Sequence, residues 1–235
     1  MFDTTERLKI IGEGRTSKVY ISNDLVVKKV EKLLARKEEI DVLKTLTHPS
    51  IVKLVDSFED KNYVYIIMEY CPGKDLYEWR HELGEKQSNT MDDIINQLID
   101  VIKYMHGKNV IHGDLTVVHT IINKNKVKII DFGNCKRDDE DVVKGTEIYG
   151  TFPFLSPEML SGEVATATKA GDLWALGVLI FIAITGDIPF SGHNISSISL
   201  RIRNSKINYE NIPKKYIKLL KSLLHKKYHK RKLKN

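Results

Sequence analysis

The chain has 235 residues, of which 42% are apolar and 29% charged, with a formal net charge of +6. That composition belongs to a globular protein with a sizeable core, built as one large domain or two small lobes. No uncharged apolar run reaches the roughly 20 residues that span a bilayer, residues 1–7 are too polar for a signal peptide, and two cysteines make no disulfide framework, so a soluble intracellular chain is expected.

Residues 8–11 read as a strand that enters the turn Gly12-Glu13-Gly14-Arg15-Thr16-Ser17. Residues 19–21 leave that turn as a second strand, and 25–28 follow an Asn23-Asp24 turn as a third. Residues 31–45 read as one helix with Ile40 and Leu43 inward, and 51–58 and 63–70 as two strands joined by a hairpin at 59–62. After Cys71-Pro72-Gly73 the periodicity becomes helical. Thr90-Met91-Asp92-Asp93 has the form of a capping box, opening a helix with Ile94, Ile95, Leu98, Val101, Ile102 and Met105 on one face. Residues 127–130 return to strand, and 173–184 are apolar all round, the mark of a helix buried inside a domain. A strand-rich lobe, 1–70, is thus joined to a mainly helical lobe, 71–235, through a short segment at 69–74, an α+β arrangement with a cleft at the junction.

The positive charge is concentrated at one end. Residues 214–235 hold ten Lys or Arg and no acid, which leaves 27 basic against 31 acidic residues in 1–213, a net of −4. Ile217, Leu219, Leu220, Leu223 and Leu224 give this stretch an apolar stripe, so a solvated helix face is favoured. Contact with nucleic acid or an acidic partner rests on charge alone.

Singly, the chemistry-bearing residues are weak signals. Two glycines in a turn are most often a plain hairpin, although glycines also let backbone N–H groups approach phosphate oxygens; a dinucleotide fold is disfavoured because a strand follows. Lys28 ends an apolar strand, and Glu39 lies on the helix after it. His112-Gly113-Asp114 follows the amphipathic helix, and Asp131-Phe132-Gly133 comes 17 residues after Asp114. Ser156-Pro157-Glu158 and Asp172-Leu173-Trp174-Ala175-Leu176-Gly177 come next. In this order and spacing, chance occurrence is negligible.

Together these motifs resemble those of the eukaryotic-type serine/threonine protein kinase family, over nearly the whole chain. The resemblance implies a compact, divergent member with the two-lobed kinase fold. It implies binding of ATP with Mg²⁺ or Mn²⁺ and transfer of the γ-phosphate to Ser or Thr of a protein substrate, with cytoplasmic or nuclear location and no membrane partner. On the nucleotide side it assigns Gly12 and Gly14 to the loop over the phosphates, Val19 to the apolar lid over adenine, and Val26, Met68 and Ile121 to the adenine pocket. Glu69 and Cys71 would offer backbone hydrogen bonds to adenine, and Asp75 would reach the ribose. Lys28 would grip the α- and β-phosphates and pair with Glu39. Asp114 would be the catalytic base, braced by Thr151, and Asp131 a hard carboxylate for the metal. Glu158 would pair with Arg231, while Leu43, Leu54, His112 and Phe132 would stack between the lobes on an Asp172 anchor. With the chain ending four residues past Arg231, the family's last helix is expected to be short or absent, and frequent Ile, Lys and Asn fit an AT-rich, viral or parasite genome among others.

Departures cluster in the catalytic loop, where such kinases carry Arg, Lys and Asn in place of Gly113, Thr116 and His119. Without that arginine, activation by phosphate at Thr146 or Tyr149 is not expected, and the acidic run 138–141 has no arginine at 113 to meet. Thr116 can donate a hydrogen bond to the transferring group but brings no charge, so slower transfer is expected; losing one electrostatic donor costs about 2.7–4 kcal/mol in a comparable setting. The His119 imidazole suits softer transition metals better than Mg²⁺, which points to one ion or to Mn²⁺. Val118 and Ile182 stand where Arg-seeking kinases carry acids, which argues against a basic-residue requirement. The alternative class is a pseudokinase that binds nucleotide or a partner as a signalling scaffold.

Overall fold

The computed structural model describes residues 9–14, 17–83, 88–138 and 150–233. Residues 9–69 carry a five-stranded antiparallel sheet of β1 (Lys9–Glu13), β2 (Ser17–Ser22), β3 (Leu25–Glu31), β4 (Leu54–Glu59) and β5 (Tyr63–Glu69), in the order β1-β2-β3-β5-β4. The Asn23-Asp24 turn forms as expected, with Asn23 in the left-handed region at φ 51°, a conformation that asparagine tolerates. Helix α1 (Lys37–Thr45) packs on β4.

Two boundaries differ from the sequence reading. The helix expected over 31–45 starts only at Lys37, because Glu31 still pairs with Tyr63 and the Lys32 amide donates to Asn62 O at 2.8 Å, so the ladder claims these residues first. The strand expected from 51 starts at Leu54, because the Ile51 amide closes a turn onto His48 O at 3.0 Å.

Beyond the link at 69–74 the chain is mainly helical: β6 (Lys74–Asp75), α2 (Leu76–Leu83), α3 (Ser88–Gly107), β7 (Val110–Ile111), β8 (Thr120–Asn123), β9 (Lys126–Ile129), β10 (Lys136–Arg137), α4 (Pro157–Leu160), α5 (Lys169–Thr185), α6 (Ile195–Asn204) and α7 (Lys214–Leu223). Residues 90–93 lie inside α3 rather than capping it, since Ser88 is already helical. The face read from the sequence is nonetheless the buried one: Ile94, Ile95, Leu98, Val101, Ile102 and Met105 all sit in the core. α5 is buried from Asp172 to Ile184. It starts on Thr168, whose hydroxyl accepts from the Gly171 amide at 3.0 Å, and stops at Gly186 in the left-handed conformation. Each fully buried Leu or Ile contributes roughly 1.5–3 kcal/mol, which makes α5 the pillar of this half. In α7, Tyr216, Leu220 and Leu223 turn inward while Lys214, Lys215, Lys218 and Lys221 stay exposed, the solvated face expected. No helix among the described residues is long and apolar enough to cross a membrane.

Candidate active site

Lys28 reaches the site because β3 is central. It pairs with Val19 on β2 and Ile66 on β5 in register, so its side chain leaves the sheet on the side facing α1. Its Nζ donates to Glu39 Oε1 and Oε2 at 2.8 and 3.0 Å and to Asp131 Oδ1 at 2.8 Å, with Lys28 only 8% exposed. Burial alone would lower the Lys28 pKa; the Glu39 and Asp131 carboxylates reverse this and raise it. Burial likewise pushes the Glu39 carboxyl up, opposed by the Lys28 ammonium that both its oxygens contact. Asp131 feels the same burial, yet Lys28 first and His119 next pull its pKa down to about 2. Its backbone is left-handed, at φ 60°, a strain of the kind that clusters at functional sites. Gly133 follows for a spatial reason: a Cβ there would lie 3.0 Å from Lys28 Nζ and 3.1 Å from Asp131 Oδ1.

The loop bearing Asp114 hangs from α5. Asp172 Oδ2 accepts from the His112 amide at 2.9 Å and from His106 Nε2 at 2.9 Å, while Oδ1 accepts from the Gly113 amide at 3.0 Å. His112 Nδ1 accepts from the Asp114 amide at 3.3 Å, which leaves Nε2–H to donate to Ile130 O at 3.2 Å. Burial lowers the His112 pKa and so favours the neutral ring, whose tautomer the two hydrogen bonds set. Its ring lies 4.8 Å from that of Phe132, and both belong with buried Leu43 and adjoining Leu54 to the wall between sheet and helices.

The Asp114 carboxylate is held at both oxygens: the Thr151 hydroxyl donates to Oδ1 at 2.9 Å and Asn134 Nδ2 to Oδ2 at 3.3 Å. His119 bridges the two aspartates. Its Nδ1 donates to the Asp114 carbonyl at 2.9 Å, and its Nε2 stands 3.4 Å from Asp131 Oδ2. Thr116 is less accessible. It is 1% exposed, and its hydroxyl oxygen accepts from the His119 amide at 3.3 Å, so it shapes the loop. Gly113 sits at φ +80°, and a Cβ there would come within 2.5 Å of Asn134 O and 3.0 Å of Ala167 Cβ.

Among the residues expected to line a nucleotide pocket, Val26 pairs with Met68 across β3 and β5, Ile121 with Asp75 across β8 and β6, and Gly12 with Val19 across β1 and β2. Gly14 closes the first turn through its amide to Ser17 O at 2.8 Å. The Glu69 side chain points behind the link, accepting from the Lys53 amide at 2.9 Å and pairing with Lys128, so only its backbone is available to a base. Burial first, then Glu69, pushes the Cys71 thiol up to about 11, and burial first, then Glu39, pushes that of Cys135 to about 12. Neither supplies a thiolate at neutral pH.

Some residues singled out in the sequence are not where a substrate could meet them. Ile182 is fully buried in α5 and offers nothing to a substrate, whereas Val118 is 53% exposed. Asp138 of the acidic run pairs with Lys169 at 2.6 Å. Arg15, Thr16, residues 139–141, Thr146, Tyr149 and Lys234 lie outside the described residues. Asn134 was not legible as a site residue, because a polar side chain after Gly133 carries no spacing signal. Among the described residues no group of three or more His, Cys, Asp or Glu side chains could hold a metal by itself.

The family model for the protein kinase domain matches residues 5–233. The "Probable serine/threonine-protein kinase KIN1 homolog" of Enterocytozoon bieneusi is 29% identical over 86% of this chain and 36% of that protein. Sperm motility kinase 2B of Mus musculus is 32% identical over 85% of this chain and 43% of that protein. Calcium-dependent protein kinase 6 of Plasmodium berghei is 31% identical over 95% of this chain and 16% of that protein. The chain therefore spans less than half the length of these relatives. It belongs to the eukaryotic-type serine/threonine protein kinase family, and its strand-rich N-terminal region and mainly helical C-terminal region are the two-lobed fold of that family.

Proposed function

We propose that the chain transfers the γ-phosphate of ATP to Ser or Thr of a protein substrate, in a cleft between an N-terminal lobe, residues 1–70, and a C-terminal lobe, 71–235. The observation that carries this reading is the buried Lys28 ammonium shared between Glu39 and Asp131. A cation fixed by two carboxylates is suited to phosphate oxygens. One hard carboxylate beside an imidazole fits a divalent ion whose other ligands come from phosphate and water.

When bound, ATP and its divalent ion supply the transferable phosphoryl group and neutralise its charge. The chain's residues do the rest. Gly12 and Gly14 cover the phosphates; Val19, Val26, Met68, Cys71 and Ile121 enclose the base, with the Glu69 and Cys71 backbones as its hydrogen-bond partners and Asp75 at the ribose. Lys28, oriented by Glu39, holds α- and β-phosphate oxygens, and Asp131 with His119 holds the ion. Asp114 orients the substrate hydroxyl and accepts its proton. Thr116 keeps the loop in shape through His119, and with no lysine at that position transfer is slow. Thr151 on Asp114 favours Ser or Thr as acceptor.

A second reading, a pseudokinase that binds nucleotide or a partner as a scaffold, is favoured by His119 Nε2 lying 3.4 Å from Asp131 Oδ2, where the imidazole crowds the carboxylate meant for the ion. Phosphoamino-acid analysis of a generic basic protein after incubation with labelled ATP separates the two. Phosphoserine and phosphothreonine are expected. No product, with ATP still raising the melting temperature, would move the assignment to the scaffold, and phosphotyrosine would overturn the acceptor class.

A further inference from the structure

The second oxygen of Asp114 is held from an unexpected direction. Related kinases carry an amide at the position of His119, but here His119 Nδ1 is turned to the Asp114 carbonyl and stands 3.8 Å from Oδ2, beyond hydrogen-bond reach. The amide that does reach Oδ2, at 3.3 Å, belongs to Asn134.

The backbone explains how residue 134 gets there. The Cys135 amide donates to Phe132 O at 3.0 Å, closing a turn that contains Asn134. Beyond it, buried Cys135 and the pairing of Lys136 with Ile111 and Arg137 with Val110 pin the far side. The turn lies so close to the catalytic loop that a Cβ at Gly113 would meet Asn134 O at 2.5 Å. A missing side chain at 113 and an amide at 134 are thus one arrangement.

We propose that Asn134 is a positioning residue for Asp114, its amide fixing the carboxylate plane from Oδ2 while Thr151 fixes it from Oδ1, and that Gly113 is the glycine that lets Asn134 approach. The terminal torsion of an aspartate is broad. Donors at both oxygens leave defined lone pairs for a substrate hydroxyl, and orientation of this kind acts on the chemical step rather than on nucleotide binding. The inference rests on the reading of Asp114 as the group that receives the hydroxyl proton.

The test compares wild type with Asn134→Leu, Asn134→Asp, Gly113→Ala and the double variant Gly113→Ala/Asn134→Leu. Leucine keeps the shape without a donor, and aspartate turns a second carboxylate on Asp114. Transfer kcat is expected to fall about tenfold in Asn134→Leu, as for loss of a hydrogen bond to a charged group, and further in Asn134→Asp, with KM for ATP within twofold and the folded state retained. Gly113→Ala should lose kcat similarly, and the double variant no more than the larger single loss, because both changes break one contact. Wild-type kcat in Asn134→Leu, or losses that multiply in the double variant, would overturn the proposal. A wild-type chain that transfers nothing defeats the kinase reading instead. The NMR resonance of the Asn134 side-chain amide then decides the pairing, as it also does should Asn134→Leu fail to fold: Asp114→Ala must move it, and an unmoved resonance overturns the inference.

Discussion

Glu158 and Arg231 face each other through two parallel hydrogen bonds, Nη1 to Oε1 at 2.6 Å and Nη2 to Oε2 at 2.7 Å, with side chains 2% and 0% exposed. The contact ties α4 to the end of the chain across 73 residues, and the same guanidinium also donates to Ala170 O and His225 O. Breaking a buried pair leaves one charge without a partner. Arg231→Met or Glu158→Gln is expected to cost about 3–5 kcal/mol in urea unfolding, and Arg231→Met with Glu158→Leu should recover part of it. A single-variant loss below about 1 kcal/mol, the range of exposed pairs, would mean the pair adds little.

Lys28 is the shared cation of the site. Lys28→Met is expected to lower phosphate transfer at least a hundredfold, the scale for losing one preorganised electrostatic donor, and to weaken stabilisation by ATP. Lys28→Arg should not rescue, because a planar fork does not replace a point charge between two carboxylates. Steady-state rates and melting curves with and without ATP check both.

Gly113 is the position where adding the family's missing arginine should fail. At φ +80° a side chain costs roughly 1–2 kcal/mol from backbone strain, before any collision with Asn134 O at 2.5 Å. Gly113→Arg should melt lower than wild type and lose transfer. A variant with full stability and faster transfer would contradict the geometry.

Much of this was written in the sequence, and the misses have physical causes. The order and spacing of Lys28, Glu39, Asp114 and Asp131 carry the family resemblance, and the resemblance in turn implies the partnership of Glu158 with Arg231 that the structure shows. The all-apolar α5 and the inward face of α3 followed from periodicity. Helix α1 is six residues shorter than local periodicity implies because strand pairing between Glu31 and Tyr63 is a tertiary effect that no local window shows. Ile182 looked like a substrate-facing position because alignment by spacing says nothing of depth. Asn134 carries no signal in the sequence because it meets Gly113 only through the turn closed by the Cys135 amide.

Acid should act on the fold through His112. Its folded pKa lies below the ordinary 6.5, so the folded state favours the neutral ring. That contribution is complete above pH 6.5 and is lost as pH falls from there through the folded value. Urea midpoints are expected to hold steady from pH 8 to 7 and to decline below about 6.5, with a smaller decline in His112→Asn. An equal decline in the variant would place the acid sensitivity elsewhere.

On the proposed reading, His119 is expected to set the metal preference. An imidazole near Asp131 favours Mn²⁺ over Mg²⁺, and His119→Asn should raise the Mg²⁺ rate relative to the Mn²⁺ rate by about tenfold, the scale of a 1.4 kcal/mol change. Parallel assays in the two metals measure the ratio, and an unchanged ratio would remove His119 from the ion's surroundings.

Phosphate transfer from labelled ATP to a generic basic protein, run with Mg²⁺ and Mn²⁺ in parallel and with Asp131→Ala beside wild type, decides whether Lys28, Asp114 and Asp131 form a working site. Transfer by wild type that disappears in Asp131→Ala is the expected result. Equal transfer by both proteins would contradict the assignment of the site.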